Sequence, residues 1–266
     1  MKPSDTPTDA MVLRTDAQHI TTLTMNRGAS RNALSRPMIA ALQDALDAIA
    51  TDSSVHVVVL AGSGPAFCAG HDLKEMRSQQ FDVDYAKDLF DACGQLMQRI
   101  VSMPQPVIAR VHGIATAAGA QLVATCDLAV AADNARFATP GVNIGLFCST
   151  PMVALTRNIS HKHAMQMLLT GELIDAQEAL RFGLVNQIVP EAQLDAAVTG
   201  LAIKLAAKSC RTLSIGKQAF YRQAELPLAQ AYAYTRDVMV TNLQAADAKE
   251  GICAFIDKRT PTWTHA

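Results

Sequence analysis

The stretch VHVVVLAGSGPAFCAGHDL, which runs from Val55 to Leu73, decides the fold of this chain. Its first part, Val55 to Leu60, is almost entirely apolar and is followed by a run rich in glycine, serine and proline. A strand that is buried on both faces has this composition, as parallel strands do when helices cover both sides of a sheet. Small residues between Phe67 and Leu73 then lead into a polar, helix-like stretch. The sequence therefore predicts a buried parallel strand, a tight turn and the start of a helix.

Strands and helices are predicted to alternate on both sides of this stretch. Ser35 is the expected N-cap of a helix whose apolar residues recur at helical spacing from Met38 to Ile49. The other segments predicted are a hairpin of Met11 to Thr15 with His19 to Met25 across a turn at Asp16 to Gln18, a helix from Tyr85 to Val101, strands from Val107 to Val111 and from Leu128 to Ala132, and a small-residue loop from Gly113 to Gly119 before a helix that begins near Ala120. This alternation indicates crossover connections and an α/β fold class with a mainly parallel sheet.

The second half of the chain is predicted to be mainly helical. Asp175 and Glu178 form a pattern typical of a helix start, and Gly183 is the expected left-handed residue after that helix. A short strand is predicted from Val185 to Val189, and three or four helices from Glu191 to Arg259. The chain is therefore expected to form one α/β core followed by a helical region.

In residue numbers, this organisation is a disordered N-terminus over 1–10, an α/β core over 11–195 and a C-terminal helical region over 196–266. The formal net charge is −1, from 23 basic and 24 acidic residues, so the chain lacks the basic surface that nucleic-acid binding requires. No apolar run approaches the roughly 20 residues that span a bilayer. We predict a chain that binds neither nucleic acid nor membrane.

The cysteines and the N-terminal composition bear on the cellular compartment. Six cysteines are present, and no two have the C-x-x-C spacing of a redox or zinc motif. The polar opening has neither the apolar core of a secretory signal nor an arginine-rich amphipathic pattern. The sequence thus predicts reduced thiols, no metal site and a cytoplasmic location.

Two segments of small residues indicate a chemical function. Glycine and alanine in Phe67 to Leu73 let a ligand approach the backbone, and Ala117 to Gly119 lies at a helix start, where N–H groups lack intrahelical partners. Two such N–H groups directed at one point would form an oxyanion hole, which stabilises the oxygen of an enolate or of a tetrahedral intermediate. Close packing at a helix start is the alternative explanation for either segment alone.

Together, the two segments resemble the enoyl-CoA hydratase/isomerase (crotonase) family. The pattern F-C-A-G-x-D-L, from Phe67 to Leu73, and the pattern H-G-x-A-x-x-x-G, from His112 to Gly119, are both typical of that family. Further matches follow the order of the family: Arg31 to Leu34, Cys126 to Leu128, Phe137 to Pro140, Gly145 to Leu146, Leu169 to Glu172, Ala176 to Ala179, Gly183 to Val185 and Glu250 to Phe255. The resemblance covers roughly residues 10–262.

This resemblance implies a fold, a substrate class and an assembly. The fold would be a crotonase-like (ClpP/crotonase) spiral of ββα units, and the C-terminal helices would assemble homotrimers or hexamers made of two trimers. The substrate would be an acyl-CoA thioester, without a permanently bound cofactor. The backbone N–H groups of His71 and Ala118 would form the oxyanion hole. The residues expected to contact the substrate or its CoA and pantetheine parts are Arg31, Ala33, Leu34, Ala69, Gly70, Asp72, Leu73, Gly119 and Pro140. Lys217 and Lys258 are expected at the nucleotide phosphates, either within the chain or across a subunit contact.

The chain departs from the family at the residues that carry acid–base chemistry. Hydratases of the family use two glutamates, which hold the water molecule and move its protons. The matching positions here are Gln121 and Gly141, and an acidic position of dienoyl isomerases matches Ser149; none of these side chains transfers a proton at neutral pH. One group within the family, similar to this chain from Phe137 to Pro151, also lacks the glutamate pair.

Other polar groups are expected near the thioester. They are Gln121, Asn143, Cys148, Ser149 and Thr150, and the imidazole of His71 is a further candidate for proton transfer. The sequence therefore predicts an acyl-CoA enzyme that stabilises a thioester enolate and is nominally an enoyl-CoA hydratase. The alternatives are a different acyl-CoA reaction and a non-catalytic acyl-CoA-binding or structural relative of such enzymes.

Overall fold

The computed structural model describes residues 9–265, so that most of the segment predicted to be disordered lies outside the described residues. Within this range, ten strands form two sheets. The strands are β1 (Val12–Ala17), β2 (Ile20–Met25), β3 (Val57–Gly62), β4 (Ala66–Cys68), β5 (Val107–Val111), β6 (Ile114–Thr116), β7 (Leu128–Ala132), β8 (Arg136–Ala138), β9 (Ile174–Asp175) and β10 (Gln187–Val189).

Eleven α-helices are present in the same range. They are α1 (Arg36–Ala50), α2 (Leu73–Ser78), α3 (Val83–Ser102), α4 (Ala118–Thr125), α5 (Ser149–Asn158), α6 (His161–Thr170), α7 (Ala176–Phe182), α8 (Leu194–Ala206), α9 (Cys210–Ala224), α10 (Leu228–Gln244) and α11 (Ala246–Ile256). Of residues 9–265, no helix is both long enough and apolar enough to cross a membrane.

The chain winds between the two sheets. The larger sheet has the order β1-β2-β3-β5-β7-β10, in which β1 and β2 form an antiparallel hairpin and the other neighbours are parallel. The smaller sheet has the order β4-β6-β8-β9. The consecutive pairs β3–β4, β5–β6 and β7–β8 each contribute one strand to each sheet, and helices follow each pair. This arrangement confirms the predicted α/β spiral of ββα units.

The buried strands and the first helix follow the sequence pattern. All six residues of β3 are buried, and β5 and β7 have the predicted bounds. The Ser35 hydroxyl accepts a hydrogen bond from the Met38 N–H at 3.3 Å, which caps α1, and the apolar stripe of α1 from Met38 to Ile49 is buried. The main core lies between the sheets and α1, α3 and α4.

Several local predictions differ from the structure: β3 covers Val57–Gly62 instead of Val55 to Leu60, and β10 covers Gln187–Val189 instead of Val185 to Val189. The first hairpin turns over Gln18 and His19, which have φ values of 51° and 64°, so the turn has two residues and β1 extends to Ala17. The segment predicted as a loop from Gly113 to Gly119 contains β6, because these residues pair in parallel with β4 and β8. Helix α4 consequently begins at Ala118 instead of Ala120.

The boundary predicted between residues 195 and 196 falls inside α8. The buried face of α8, which includes Leu194, Val198 and Ala202, packs on the outer face of the larger sheet. This packing assigns α8 to the α/β core, so the C-terminal helical region begins with α9.

Candidate functional site

The two small-residue segments lie against each other. A β-carbon at Gly70 would lie 2.8 Å from the Cβ atom of Ala117 and 3.0 Å from the Thr116 carbonyl oxygen. A β-carbon at Gly119 would overlap the carbonyl oxygen of Cys68. The Thr116 hydroxyl also donates a hydrogen bond of 3.1 Å to the Ala69 carbonyl oxygen. Both glycines are therefore required for close packing, and this packing brings the ends of β4 and β6 together.

The orientation of the His71 N–H follows from an isolated parallel bridge with Leu34. The Leu34 N–H donates to the Gly70 carbonyl at 2.7 Å, and the Asp72 N–H donates to the Leu34 carbonyl at 3.3 Å. Because Leu34 bonds to the residues on either side of His71, the N–H of His71 itself points away from Leu34. Within residues 9–265 this N–H has no backbone or side-chain acceptor.

The second N–H group belongs to the first residue of α4. Ala117 precedes α4 with φ 51° and ψ −118°, a conformation that is strained for a residue with a β-carbon and is held by a 2.9 Å hydrogen bond from its N–H to the Ala138 carbonyl. The N–H of Ala118 has no intrahelical partner, as expected for the first turn of a helix. No side chain of the described residues caps this end of α4.

A cavity of about 450 Å³ opens at this point. Both His71 and Ala118 line it. The lining residues are Ala69, His71, Leu73, Met76, Phe90, Ala117, Ala118, Pro140, Gly141, Asn143, Ile144, Leu146, Phe147, Cys148, Ser149, Thr150 and Pro151. The volume is in the range of small-molecule sites, and most of the lining is apolar, which suits an acyl chain.

Titratable groups in the cavity wall are uncharged at neutral pH. Burial lowers the pKa of His71 to about 4, and its ring packs edge-on against Phe90 with centroids 5.2 Å apart. The Nε2 atom of His71 is buried and has no partner among the described residues. Burial also raises the pKa of the Cys148 thiol, which therefore stays protonated and is a weak nucleophile. No aspartate or glutamate lines the cavity within the described part of the chain.

The positions of the two family glutamates differ in their surroundings. Gln121 lies one turn after the cavity-lining residue Ala118 on α4; it is buried, and its Oε1 atom has no partner within residues 9–265. At Gly141, a β-carbon would overlap the carbonyl oxygen of Leu146 and lie 2.9 Å from the Cys148 sulfur. The Leu146 N–H also donates to the Gly141 carbonyl at 2.9 Å. The segment after Gly141 thus fills the space that a second carboxylate would occupy.

The residues predicted along the CoA path run beside the motif of residues 67–73. The Arg31 carbonyl accepts a 3.0 Å hydrogen bond from the Ala69 N–H, which aligns the segment from Arg31 to Leu34 with that motif. The Leu34 side chain is fully buried in the core and offers no surface to a ligand. The Asp72 carboxylate caps α2 through the N–H groups of Lys74 and Glu75, at 2.9 and 3.1 Å. Arg31 is exposed, and Ala33 is partly exposed.

Lys217 lies outside the site. Its ammonium group is buried and forms an ion pair of 2.7 Å with Asp127, while donating 2.8 Å hydrogen bonds to the carbonyl oxygens of Ile100 and Gln105. These three acceptors use all three ammonium hydrogens, and this corrects the prediction that Lys217 approaches the nucleotide phosphates. Lys258 is exposed after α11 and does not line the cavity of its own chain.

The apolar half of the cavity was not predicted from the sequence. Met76 on α2 and Phe90 on α3 line one wall, and Ile144, Leu146 and Phe147 line the other although each is exposed for at least a third of its surface. Large apolar side chains in a glycine-containing run directly after a site motif are the signal that points to this wall. Asn32 was also overlooked as a support: it is buried, and its amide nitrogen donates to the carbonyls of Ser63, Ala66 and Phe67 at 2.8–3.1 Å.

Comparison with known proteins gives consistent results. A family model described as Enoyl-CoA hydratase/isomerase matches residues 15–266. The human Enoyl-CoA hydratase domain-containing protein 3, mitochondrial, is 47% identical over 246 residues, which cover 92% of this chain and 81% of that protein. The 2,3-dehydroadipyl-CoA hydratase of Escherichia coli strain K12 is 37% identical over 245 residues, which cover 92% of this chain and 94% of that protein.

Solved structures are equally similar. An enoyl-CoA hydratase from Mycobacterium smegmatis superimposes with a TM-score of 0.93 at 50% identity, covering 95% of this chain and 98% of that one. The human enoyl Coenzyme A hydratase domain-containing protein 3 has a TM-score of 0.92 at 45% identity, covering 95% of this chain and 100% of that one. These matches confirm the resemblance to the domain-containing protein 3 group, which is the group indicated by the run from Phe137 to Pro151.

The same comparison contradicts the predicted location. Five relatives of the domain-containing protein 3 group, 43–48% identical to this chain, are all named mitochondrial. The prediction of a cytoplasmic location, which relied on the cysteine pattern and the N-terminal composition, is therefore wrong.

Proposed function

Because the chain belongs to the enoyl-CoA hydratase/isomerase family, we propose that it acts on an acyl-CoA thioester whose carbonyl oxygen is bound by the N–H groups of His71 and Ala118. The observation that carries this proposal is that one largely apolar cavity is lined by His71 and Ala118, whose N–H groups lack a protein acceptor within residues 9–265. The CoA thioester is the substrate, and the proposal includes no permanently bound cofactor. The residues from Arg31 to Leu34 and from Ala69 to Leu73 would follow the pantetheine arm.

The chemistry of this site is stabilisation of an enolate. When water adds to the β-carbon of an α,β-unsaturated thioester, electron density moves through the double bond to the carbonyl oxygen. Two N–H donors preorganised at that oxygen stabilise the developing charge without reorganisation, and one such donor typically contributes about 3–4 kcal/mol. The water releases one proton to solvent as its oxygen bonds to the β-carbon, and the enolate takes up one proton at the α-carbon, which completes hydration. Hydration is therefore the nominal reaction of the site.

Proton transfer is the weak part of this mechanism. A positioned acid or base contributes about 10²–10⁴-fold to such a step, and the cavity of this chain offers only uncharged groups. The neutral His71 imidazole accepts a proton poorly, because burial lowers its pKa to about 4. We therefore expect hydration to be slow compared with a two-carboxylate enzyme.

A second candidate is binding of an acyl-CoA without turnover. The observation that favours it is the closure of the space beside Gly141 by the Leu146 carbonyl, since a backbone segment occupies the place of the missing side chain. Two measurements on the purified protein separate the candidates: calorimetric titration with butyryl-CoA, which cannot be hydrated, and loss of the conjugated absorbance of crotonyl-CoA. Slow turnover supports the enzyme, and binding without turnover supports the second candidate. No binding of either thioester would contradict both.

Replacing Gln121 by glutamate is expected to increase the rate of crotonyl-CoA hydration by at least tenfold. The new carboxyl group would lie one turn behind the Ala118 N–H, and burial would raise its pKa toward the range useful for proton transfer. Gln121→Met is the matched control, because it has a similar volume and cannot exchange a proton. If Gln121→Glu folds and binds the thioester but hydrates no faster than Gln121→Met, then residue 121 does not face the reacting carbons.

We also propose that the chain assembles as a homotrimer or as a hexamer of two trimers. Helices α10 and α11 expose large apolar side chains, among which Leu228 and Phe255 are 75% and 84% exposed. Apolar groups exposed to this extent on neighbouring helices are typical of a subunit interface. Light scattering during gel filtration should give three or six times the chain mass of 28.4 kDa. A monomeric mass at micromolar concentration would contradict the assembly.

A further inference from the structure

A cluster of metal-binding side chains lies outside the acyl-CoA site. Within residues 9–265, one group of at least three histidine, cysteine or acidic residues brings its ligand atoms within 4.8 Å of one another: His56, Cys210 and His265. They come from the residue before β3, from the first residue of α9 and from the C-terminal tail. Residues of the acyl-CoA cavity take no part in the cluster.

The imidazole of His56 is held in the form that binds metals. His56 is buried, and its Nδ1 atom lies 3.3 Å from the Ala206 carbonyl oxygen. A carbonyl oxygen can only accept a hydrogen bond, so Nδ1 carries the proton and Nε2 keeps its lone pair. Metal-bound histidines generally have this second partner, which fixes the ring and increases its basicity.

His265 is also fixed, although it lies near the end of the chain. The Asp247 carboxylate, which is buried, accepts hydrogen bonds from the N–H groups of Thr264 and His265 at 2.7 and 3.0 Å. The Cys210 N–H donates a 3.3 Å hydrogen bond to Nδ1 of His265, which holds the ring at the start of α9; metal binding to this nitrogen would replace that hydrogen bond. The tail is thus positioned against the start of α9 before any ion is bound.

The surroundings of the cluster leave room for an ion. A cleft of about 250 Å³ is lined by all three side chains, and Asp52 and Arg211 also line it. The rings of His56 and His265 have centroids 4.6 Å apart at 45°, and the His19 ring stacks on His56 at 4.3 Å and 11°. The Nδ1 atom of His19 lies 2.9 Å from the Ser54 carbonyl oxygen. His19 supports the His56 ring and does not belong to the group whose ligand atoms converge.

We propose that His56, Cys210 and His265 bind a zinc ion or a similar borderline divalent cation. Two imidazole nitrogens and one thiolate suit Zn²⁺, and a water molecule in the cleft would complete a tetrahedral site. Binding replaces the thiol proton of Cys210, which passes to solvent, by a bond between sulfur and zinc. The ion connects the C-terminal tail to the α/β core, so it stabilises the folded chain.

The test uses the full chain after treatment with a chelator and its removal. Titration calorimetry with zinc chloride should show one ion bound per chain. Thermal unfolding with and without zinc should show a higher Tm when zinc is bound. Cobalt(II) should produce the absorption band of a cobalt–thiolate bond. Cys210→Ser should abolish this band, and Cys210→Ser and His265→Asn should each weaken zinc binding by at least tenfold. Because both substitutions are at partly exposed or exposed positions, they should leave the fold intact.

Two variants serve as matched controls. Cys253→Ser removes an exposed thiol on α11, and His19→Gln removes the stacked ring that provides no ligand. Both should bind zinc as the unmodified chain does and retain the cobalt band. The proposal would be overturned if the unmodified chain bound no zinc, if Cys210→Ser retained the cobalt–thiolate band, or if Cys253→Ser lost it.

Discussion

Replacing Lys217 by methionine is expected to lower the free energy of unfolding by about 3–5 kcal/mol, because it removes one partner of a buried ion pair. The Lys217 ammonium is 2.7 Å from the Asp127 carboxylate, and the two side chains are only 6% and 16% exposed. Methionine preserves the length and apolar character of the stem but leaves a buried carboxylate without its cation. The carbonyl oxygens of Ile100 and Gln105 also lose their donor. Denaturant unfolding at a fixed protein concentration measures the loss.

The expected size depends on the groups that remain at Asp127. The Val107 N–H and the Tyr221 hydroxyl still donate to it at 2.7 and 2.9 Å, so the carboxylate keeps part of its stabilisation. Burial is the largest influence on both neighbours: it lowers the pKa of Lys217 and raises the pKa of Tyr221. The double variant Lys217→Met with Asp127→Asn removes both charges and should recover much of the lost stability.

A control variant and a binding measurement test whether the effect is specific to the buried ion pair. Lys204→Met changes an exposed lysine on α8 and should alter stability by less than about 0.5 kcal/mol. Affinity for a CoA thioester, measured below the unfolding transition, should be the same for Lys217→Met and the unmodified chain. A Lys217→Met variant with normal stability and weakened CoA binding would restore the nucleotide-phosphate role that the structure argues against.

Lys217 also illustrates why part of the site could not be predicted from the sequence. Lysine is mostly exposed in folded proteins, and a lysine at a family's phosphate position is naturally assigned to a phosphate. Its burial arises from α9 packing between the end of α3 and the Asp127 corner, which are more than 80 residues away in the chain. Only the tertiary structure brings these acceptors together.

Some strands can be predicted from their own sequence, whereas others form only because distant strands lie beside them. β7 is a continuous apolar run, β5 is apolar apart from Arg110, and the bounds of both are predicted correctly. β6 has only three residues and exists because β4 and β8 lie on either side of it. Such a strand has no sequence pattern of its own, and the segment is naturally predicted as a loop.

Glycines in the sequence indicate the position of the site better than apolar side chains do. Gly70 and Gly119 lie where two backbones touch, so their positions indicate the contact between the two motifs. Met76 and Phe90, by contrast, lie on helices whose apolar stripe is expected to face the core. Their role in lining the cavity follows from where α2 and α3 lie in the tertiary structure, which the helical pattern does not specify.

Replacing Ala118 by proline is expected to lower kcat/KM for crotonyl-CoA by 10²–10³-fold, because it removes one of the two N–H donors to the thioester oxygen. Ala118 is the first residue of α4, where proline is tolerated because the N–H has no intrahelical partner. The donor gains strength as charge develops on the oxygen, so kcat should fall while KM changes little. Ala118→Gly is the matched control, since it keeps the N–H group.

The role of the Ala118 N–H can also be tested if the chain binds the thioester without turning it over. The measurement is then the vibrational spectrum of the bound thioester carbonyl. The stretching frequency of a ¹³C-labelled thioester carbonyl should be lowered on binding to the unmodified chain and to Ala118→Gly, and much less on binding to Ala118→Pro. The backbone at Ala117, with φ 51°, limits how far α4 can adjust to proline, so circular dichroism must first show an intact fold. If a folded Ala118→Pro variant polarised the carbonyl as strongly as Ala118→Gly, the oxygen would be bound by other donors, and the role assigned to the N-terminus of α4 would be wrong.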